Sequence, residues 1–127
     1  MTETGAKRWL GLAASLAGAS AVVLGALGAH ALHARLSPQM LDVWHTAVQF
    51  QFWHALALLA CALMRRTHAT QLAAALFALG IVLFCGSLYA LAAGAPHAVG
   101  VVTPLGGLAL IAGWVAMGVG FWRGHGR

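Results

Sequence analysis

The chain has 127 residues, of which 61% are hydrophobic and only 7% are charged, and it carries 16 glycines. A soluble domain is charged at about a quarter of its positions, so this composition argues against an ordinary globular enzyme, a coiled coil or a disordered acidic segment. The net charge of +5 is not a nucleic-acid footprint either, because the basic residues fall in small groups between long apolar stretches instead of along one stripe.

Four stretches lack Asp, Glu, Lys and Arg altogether: 9–32, 43–64, 71–93 and 104–122. Each can supply the about 20 residues that a helix needs to cross a ~30 Å hydrocarbon core. The pattern has none of the alternation of β-barrel strands. The expected fold is therefore all-α, a four-helix bundle integral to the membrane in one domain.

The first helix, 9–32, follows Lys7 and Arg8, and Ala29-His30-Ala31 imitates a signal-peptide cleavage site. Its apolar run exceeds the about 7 to 15 residues of a secretory h-region, so it reads as a retained span. The second helix, 38–64, starts at Ser37-Pro38, an N-cap followed by proline at the first helical position. The third, 71–93, is followed by a short loop, and Thr103-Pro104 repeats the capping device for the fourth, 104–122. Trp9, Trp44 and Trp122 fall at expected boundaries, where interfacial aromatics belong. Lys7, Arg8, Arg65, Arg66, Arg123 and Arg127 share one side of a four-span topology, against Arg35 alone on the other. The positive-inside rule then places both termini in the cytoplasm.

Small residues recur every seven positions: Gly11, Gly18 and Gly25 in the first helix, and Ala73, Gly80, Ser87 and Gly94 in the third. In the fourth they are Gly106, Gly113 and Gly120. Stripes of this kind let backbones approach closely in lipid, and a period of seven suits left-handed crossings near +20°. Gly18, Gly25, Gly28, Gly80, Gly106 and Gly113 are the expected packing glycines.

The same period passes through Ala47, His54 and Cys61, which would make His54 a core histidine ~15 Å below the outer boundary. Gln51 lies one turn above it. A separate polar edge carries Asp42, His45 and Gln49. His30 closes the first helix with His33 beyond it, and Ser87 and Tyr89 lie in the outer part of the third. These groups outline a polar cluster in the outer half of the bundle, with His30, Gln51, His54, Ser87 and Tyr89 as candidate binding residues. Buried Gln, His, Ser and Tyr also tie helices together by mutual hydrogen bonds. His54 is expected to be neutral, with Gln51 and Ser87 as its partners.

Several chemistries lack their parts. No carboxylate lies inside a span, and there is no phosphate loop and no Gly-x-Ser-x-Gly elbow. Cys61 and Cys85 differ in height by ~20 Å and do not readily form a disulfide, so both are expected to be small core residues. His30 and His54 are about 15 Å apart in height, too far for one haem iron, and His30, His45 and His54 would converge on zinc or copper only if the second helix sat deeper. No metal or cofactor is expected.

Gly25-Ala26-Leu27-Gly28-Ala29-His30-Ala31-Leu32 resembles the GAxGAHxL box of the YgdD-like family of small bacterial inner-membrane proteins. Trp44-His45-Thr46 with Gln51-Phe52-Trp53-His54 is similar to its W-x-T…Q-x-x-H segment. Leu83-Phe84-Cys85-Gly86-Ser87-Leu88-Tyr89 is similar to its LFSGSLY motif, with cysteine in place of a usual serine. Thr103-Pro104-Leu105-Gly106-Gly107 with Gly113-Trp114 is similar to its TPxGG…GW ending. The resemblance touches all four helices in order and implies a four-span inner-membrane protein, with relatives also in eukaryotes. It implies no activity, and it singles out His30, His54 and Tyr89 among the ionisable residues.

The functional expectation is a non-catalytic accessory or interaction subunit, in contact with the lipid bilayer and with another membrane protein or a second copy. The competing expectation is a binder of a quinone, metal, haem or other small molecule in the outer polar cluster.

Overall fold

The computed structural model describes residues 2–125, and every regular element among them is helical. Helix α1 covers Glu3–Ala29. Its start lies outside the apolar stretch because Thr2 caps it, accepting from Gly5 N–H at 3.1 Å. Lys7 and Glu3 pair one turn apart at 3.5 Å. The helix stops at Ala29, short of residue 32, as Leu32 N–H turns back to the Leu27 carbonyl at 3.0 Å. His30 is thereby placed in an exposed turn.

Helix α2 covers Pro38–Leu63, with the Ser37 hydroxyl accepting from Met40 N–H at 3.2 Å and Pro38 opening the first turn. Helix α3 covers His68–Ala92. Thr67 and Thr70 cap it reciprocally at 3.2 and 2.8 Å. Its end is a Schellman motif: Ala95 N–H bonds the Ala90 carbonyl at 2.9 Å and Gly94 N–H the Leu91 carbonyl at 3.1 Å. Gly94 takes φ +101°, a conformation glycine adopts without steric cost. Gly94 is thus a helix terminator and not a member of a packing stripe. A 3-10 turn, His97–Val101, runs straight into helix α4, Val102–His125. Thr103, expected to cap the fourth helix, instead sits inside its first turn.

All four helices are long and apolar enough to cross a membrane. They pack in chain order, α1 on α2, α2 on α3 and α3 on α4, while α1 and α4 share no extended contact. Helix α2 is central: 44% of its most apolar window is buried, against 11% for α1. Leu12, Leu16, Val22, Val23 and Leu27 of α1 all point outward, an apolar surface suited to acyl chains and costly in water.

The α3–α4 seam is built on absent side chains. A Cβ on Gly106 would strike the backbone of Leu83 and Phe84, one on Gly113 would come within 2.8 Å of the Phe77 ring, and one on Gly80 would strike Leu110. Gly120 faces Thr70 in the same way at 3.0 Å. Within this seam α3 widens into a π turn, Ile81–Cys85. Burial steps from Phe77 to Gly80 and then five residues on to Cys85, as an inserted residue requires. Gly106 is the residue whose missing side chain admits this wider turn.

Helix α1 follows a different register from the expected one. No atom approaches within 4 Å of where a side chain on Gly11 or Gly18 would sit, so Gly18 is not a packing glycine. The buried positions are Ala14, Ala21 and Gly28, a heptad three residues further on. Gly28 lies under the Trp44 indole, where a Cβ would have only 2.7 Å, and Gly25 lies against Val48 at 3.3 Å. Trp44 is accordingly a buried packing residue and not an interfacial anchor. Trp9 and Trp122 are exposed near helix ends.

The ends of the helices gather the basic residues. Arg65, Arg66 and Arg123 lie beside one cleft, and Lys7 is near Arg66 at the same end of the molecule. Arg127 lies outside the described residues.

Candidate functional site

Ala47, His54 and Cys61 all face the interior, and Gln51 is buried with them. This face brings two polar side chains of α2 into the apolar interior, where each must find partners within the protein. They find separate ones.

Gln51 joins three helices. Its Nε2 donates to the Ala17 carbonyl at 2.9 Å and to Ser20 Oγ at 2.7 Å, both on α1. Its Oε1 accepts from the Tyr89 hydroxyl of α3 at 2.8 Å. These bonds fix the orientation of the amide, since a carbonyl can only accept. Ser20 in turn donates to the Leu16 carbonyl at 2.8 Å. Two turns above, Trp44 Nε1 donates to the Leu24 carbonyl at 2.8 Å and its ring meets Tyr89 edge-on at 4.7 Å between centroids.

His54 belongs to a second group. Its Nδ1 lies 2.6 Å from the Phe50 carbonyl, and its Nε2 lies 3.0 Å from the Trp114 indole nitrogen of α4. The carbonyl accepts only and the indole N–H donates only, so the ring is satisfied as the Nδ1–H tautomer. Phe77 completes the group, 5.7 Å from the His54 ring and 5.2 Å from that of Trp114, the latter pair edge-to-face. The expected Gln51–His54–Ser87 chain does not form. Gln51 is held by α1 and Tyr89, and Ser87 pairs with Thr103 at 2.6 Å and donates to the Phe84 carbonyl at 2.9 Å.

Of the five candidate binding residues, the structure brings Gln51 and Tyr89 together, sets His54 and Ser87 in separate local pairs, and leaves His30 on the surface. Asp42, His45 and Gln49 are exposed. Sequence reasoning missed Ser20 and Trp114. Nothing distinguishes Ser20 from Ser15, which simply bonds its own helix at the Gly11 carbonyl. Trp114 had a signal, since it directly follows the stripe residue Gly113.

Among the described residues no buried side-chain nitrogen or oxygen lacks a hydrogen-bond partner, and no three His, Cys, Asp or Glu side chains stand together as a metal site. Beside His54, an apolar groove of about 460 Å³ opens between α2 and α4, lined by Trp53, Leu56, Ala57, Ala60, Trp114 and Met117.

Four apolar helices, locked by internal hydrogen bonds and glycine contacts and apolar on the outside, define a small helical membrane protein. A family model described as "Protein of unknown function (DUF423)" matches residues 24–107, and the chain belongs to that family. It is 42% identical over 99 residues to the UPF0382 membrane protein YwdK of Bacillus subtilis, covering 75% of this chain and 80% of that one. It is 39% identical over 119 residues to the UPF0382 inner membrane protein YgdD of Escherichia coli, covering 91% of each. A UPF0382 membrane protein of Haemophilus influenzae is 36% identical over 111 residues, 86% of this chain and 90% of the relative. No solved structure matches.

Proposed function

We propose that this chain is a non-catalytic accessory protein of a bacterial inner membrane, with both termini cytoplasmic, acting through contact with another membrane protein. The observation that supports this reading is the saturation of its buried polar groups. Gln51, His54, Ser87 and Tyr89 each hydrogen-bond to groups within the protein, and no buried side-chain nitrogen or oxygen among the described residues is left without a partner. A binding pocket needs convergent polar groups that are free to orient a ligand. Helix α1, the least buried, has the most surface left for a partner.

The experiment is a single preparation of purified protein, read by absorption spectrum, metal analysis and mass spectrometry of its lipid extract. The reading expects no stoichiometric chromophore, metal or quinone. A stoichiometric quinone or haem would overturn it in favour of a small-molecule binder, for which the groove beside His54 is the supporting feature. Orientation is tested by reporter fusion: a periplasm-active reporter after Arg127 is expected to be silent, and one between residues 94 and 102 active.

A further inference from the structure

The end of the molecule where α1 begins and α4 ends is cationic, and among the described residues it has little counter-charge. The chain has only two acidic side chains. Glu3 is paired with Lys7, and Asp42 lies near the start of α2, most of that helix away from the turn that follows Leu63. That turn and the last part of α4 enclose an open cleft of about 790 Å³, lined by Arg65, Arg66, His68, Trp122 and Arg123 among others. Arg66 reaches the Gln71 side chain weakly at 3.4 Å. Among the described residues no carboxylate lines the cleft, and the first turn of α3 contributes no acidic residue.

The surroundings of these cations are apolar on the side of the spans. Leu63, which ends α2, is 77% exposed, and Trp122, next to Arg123, is 85% exposed. Three guanidinium groups above exposed apolar side chains match an amphiphile: an anionic head held by the arginines and acyl chains alongside Leu63 and Trp122. A soluble polyanion would leave the apolar side unused. Arginine suits this task because its planar fork can hold two phosphate oxygens at once. Basic pockets between helices at a membrane surface recognise lipid head groups on the same physical grounds.

We propose that this cleft is a binding site for the phosphate head group of an anionic phospholipid, held by Arg65, Arg66 and Arg123. The site is independent of the polar network between the helices and of any partner on α1.

The test is native mass spectrometry of the full chain in detergent, titrated with dioleoyl phosphatidylglycerol or dioleoyl phosphatidylcholine, with inorganic phosphate as a third arm. Each arginine near a membrane surface contributes about fivefold to binding of an anionic lipid, so the glycerol lipid is expected to bind roughly 100-fold tighter. Arg65→Gln with Arg123→Gln is expected to lower that preference about 30-fold. Arg35→Gln, at the opposite end and on an exposed residue, is expected to leave it unchanged. All three positions are exposed, and the melting temperature of each variant verifies its fold. Equal binding of the two lipids would overturn the proposal, as would a preference that survives the double substitution or falls equally with Arg35→Gln. Displacement of the lipid by millimolar inorganic phosphate would assign the cleft to free phosphate and overturn the lipid assignment.

Discussion

The two outer helices are attached to the molecule by different physics. Helix α1 is held on α2 by polar bonds that cross between helices, from Gln51 to Ala17 and Ser20 and from Trp44 to Leu24. Helix α4 is held on α3 mainly by close approach, with Gly80, Gly106 and Gly113 each giving up the space that a side chain would need. In lipid there is little hydrophobic drive between helices, so van der Waals contact and hydrogen bonds are what remain. The first attachment is directional and can lose one bond at a time. The second is a matter of excluded volume and tolerates no addition where the obstacle is backbone.

The largest effect is therefore expected on the close-packed side. Gly106→Leu drives a side chain into the backbone of the π turn, and its destabilisation should reach about 3 kcal/mol or prevent folding, measured as thermal unfolding in one detergent. A variant as stable as wild type would mean that α4 does not pack as closely as described.

On the polar side, Gln51→Leu removes both bonds to α1 and strands the Tyr89 hydroxyl, an expected loss of about 1–2 kcal/mol. Adding Tyr89→Phe removes the stranded group, so the double variant should cost less than the two single ones summed. Strict additivity in that cycle would show that the amide and the phenol are not coupled.

His54→Leu tests the bridge between α2 and α4. It leaves one indole N–H without a partner and should cost less than Gln51→Leu, up to about 1 kcal/mol. Fluorescence of Trp114 in a background that keeps Trp44 but lacks the exposed Trp9, Trp53 and Trp122 should shift when the bond is lost. A stable His54→Leu protein with lost cellular function would favour a ligand beside that ring.

The smallest effect is expected at Gly18, which faces open space. Gly18→Leu should change stability by no more than about 0.5 kcal/mol, whereas Gly28→Leu, beneath Trp44, should destabilise clearly. Equal losses at the two positions would restore the glycine register of α1 that the structure rejects.

The stripes on α2 and α4 were legible because each lies within the buried face of its helix, although other residues such as Leu58 and Leu110 share that face. Ala47, His54 and Cys61, and likewise Gly106, Gly113 and Gly120, are all buried. On α1 the same reasoning slipped by three residues. That helix is so rich in alanine and glycine that several heptads are equally small, and small size alone does not choose among them. Trp44 made the choice, since its indole needs the space over Gly28 and the carbonyl of Leu24.

By itself the sequence determined four apolar spans, their order, the caps at Ser37 and the burial of His54 and Gln51. Hydropathy, charge spacing and helical period are local properties, and a chain with so few charges has little freedom to contradict them. Tertiary structure decided the rest: which partner each buried polar group takes, which register α1 presents, and where α3 widens to meet Gly106. Gln51 and His54 are one turn apart on one face, yet Gln51 is satisfied by α1 and α3 and His54 by α4 and its own helix. That outcome depends on the heights at which α1, α3 and α4 deliver Ser20, Tyr89 and Trp114, and those heights are set only when the helices pack.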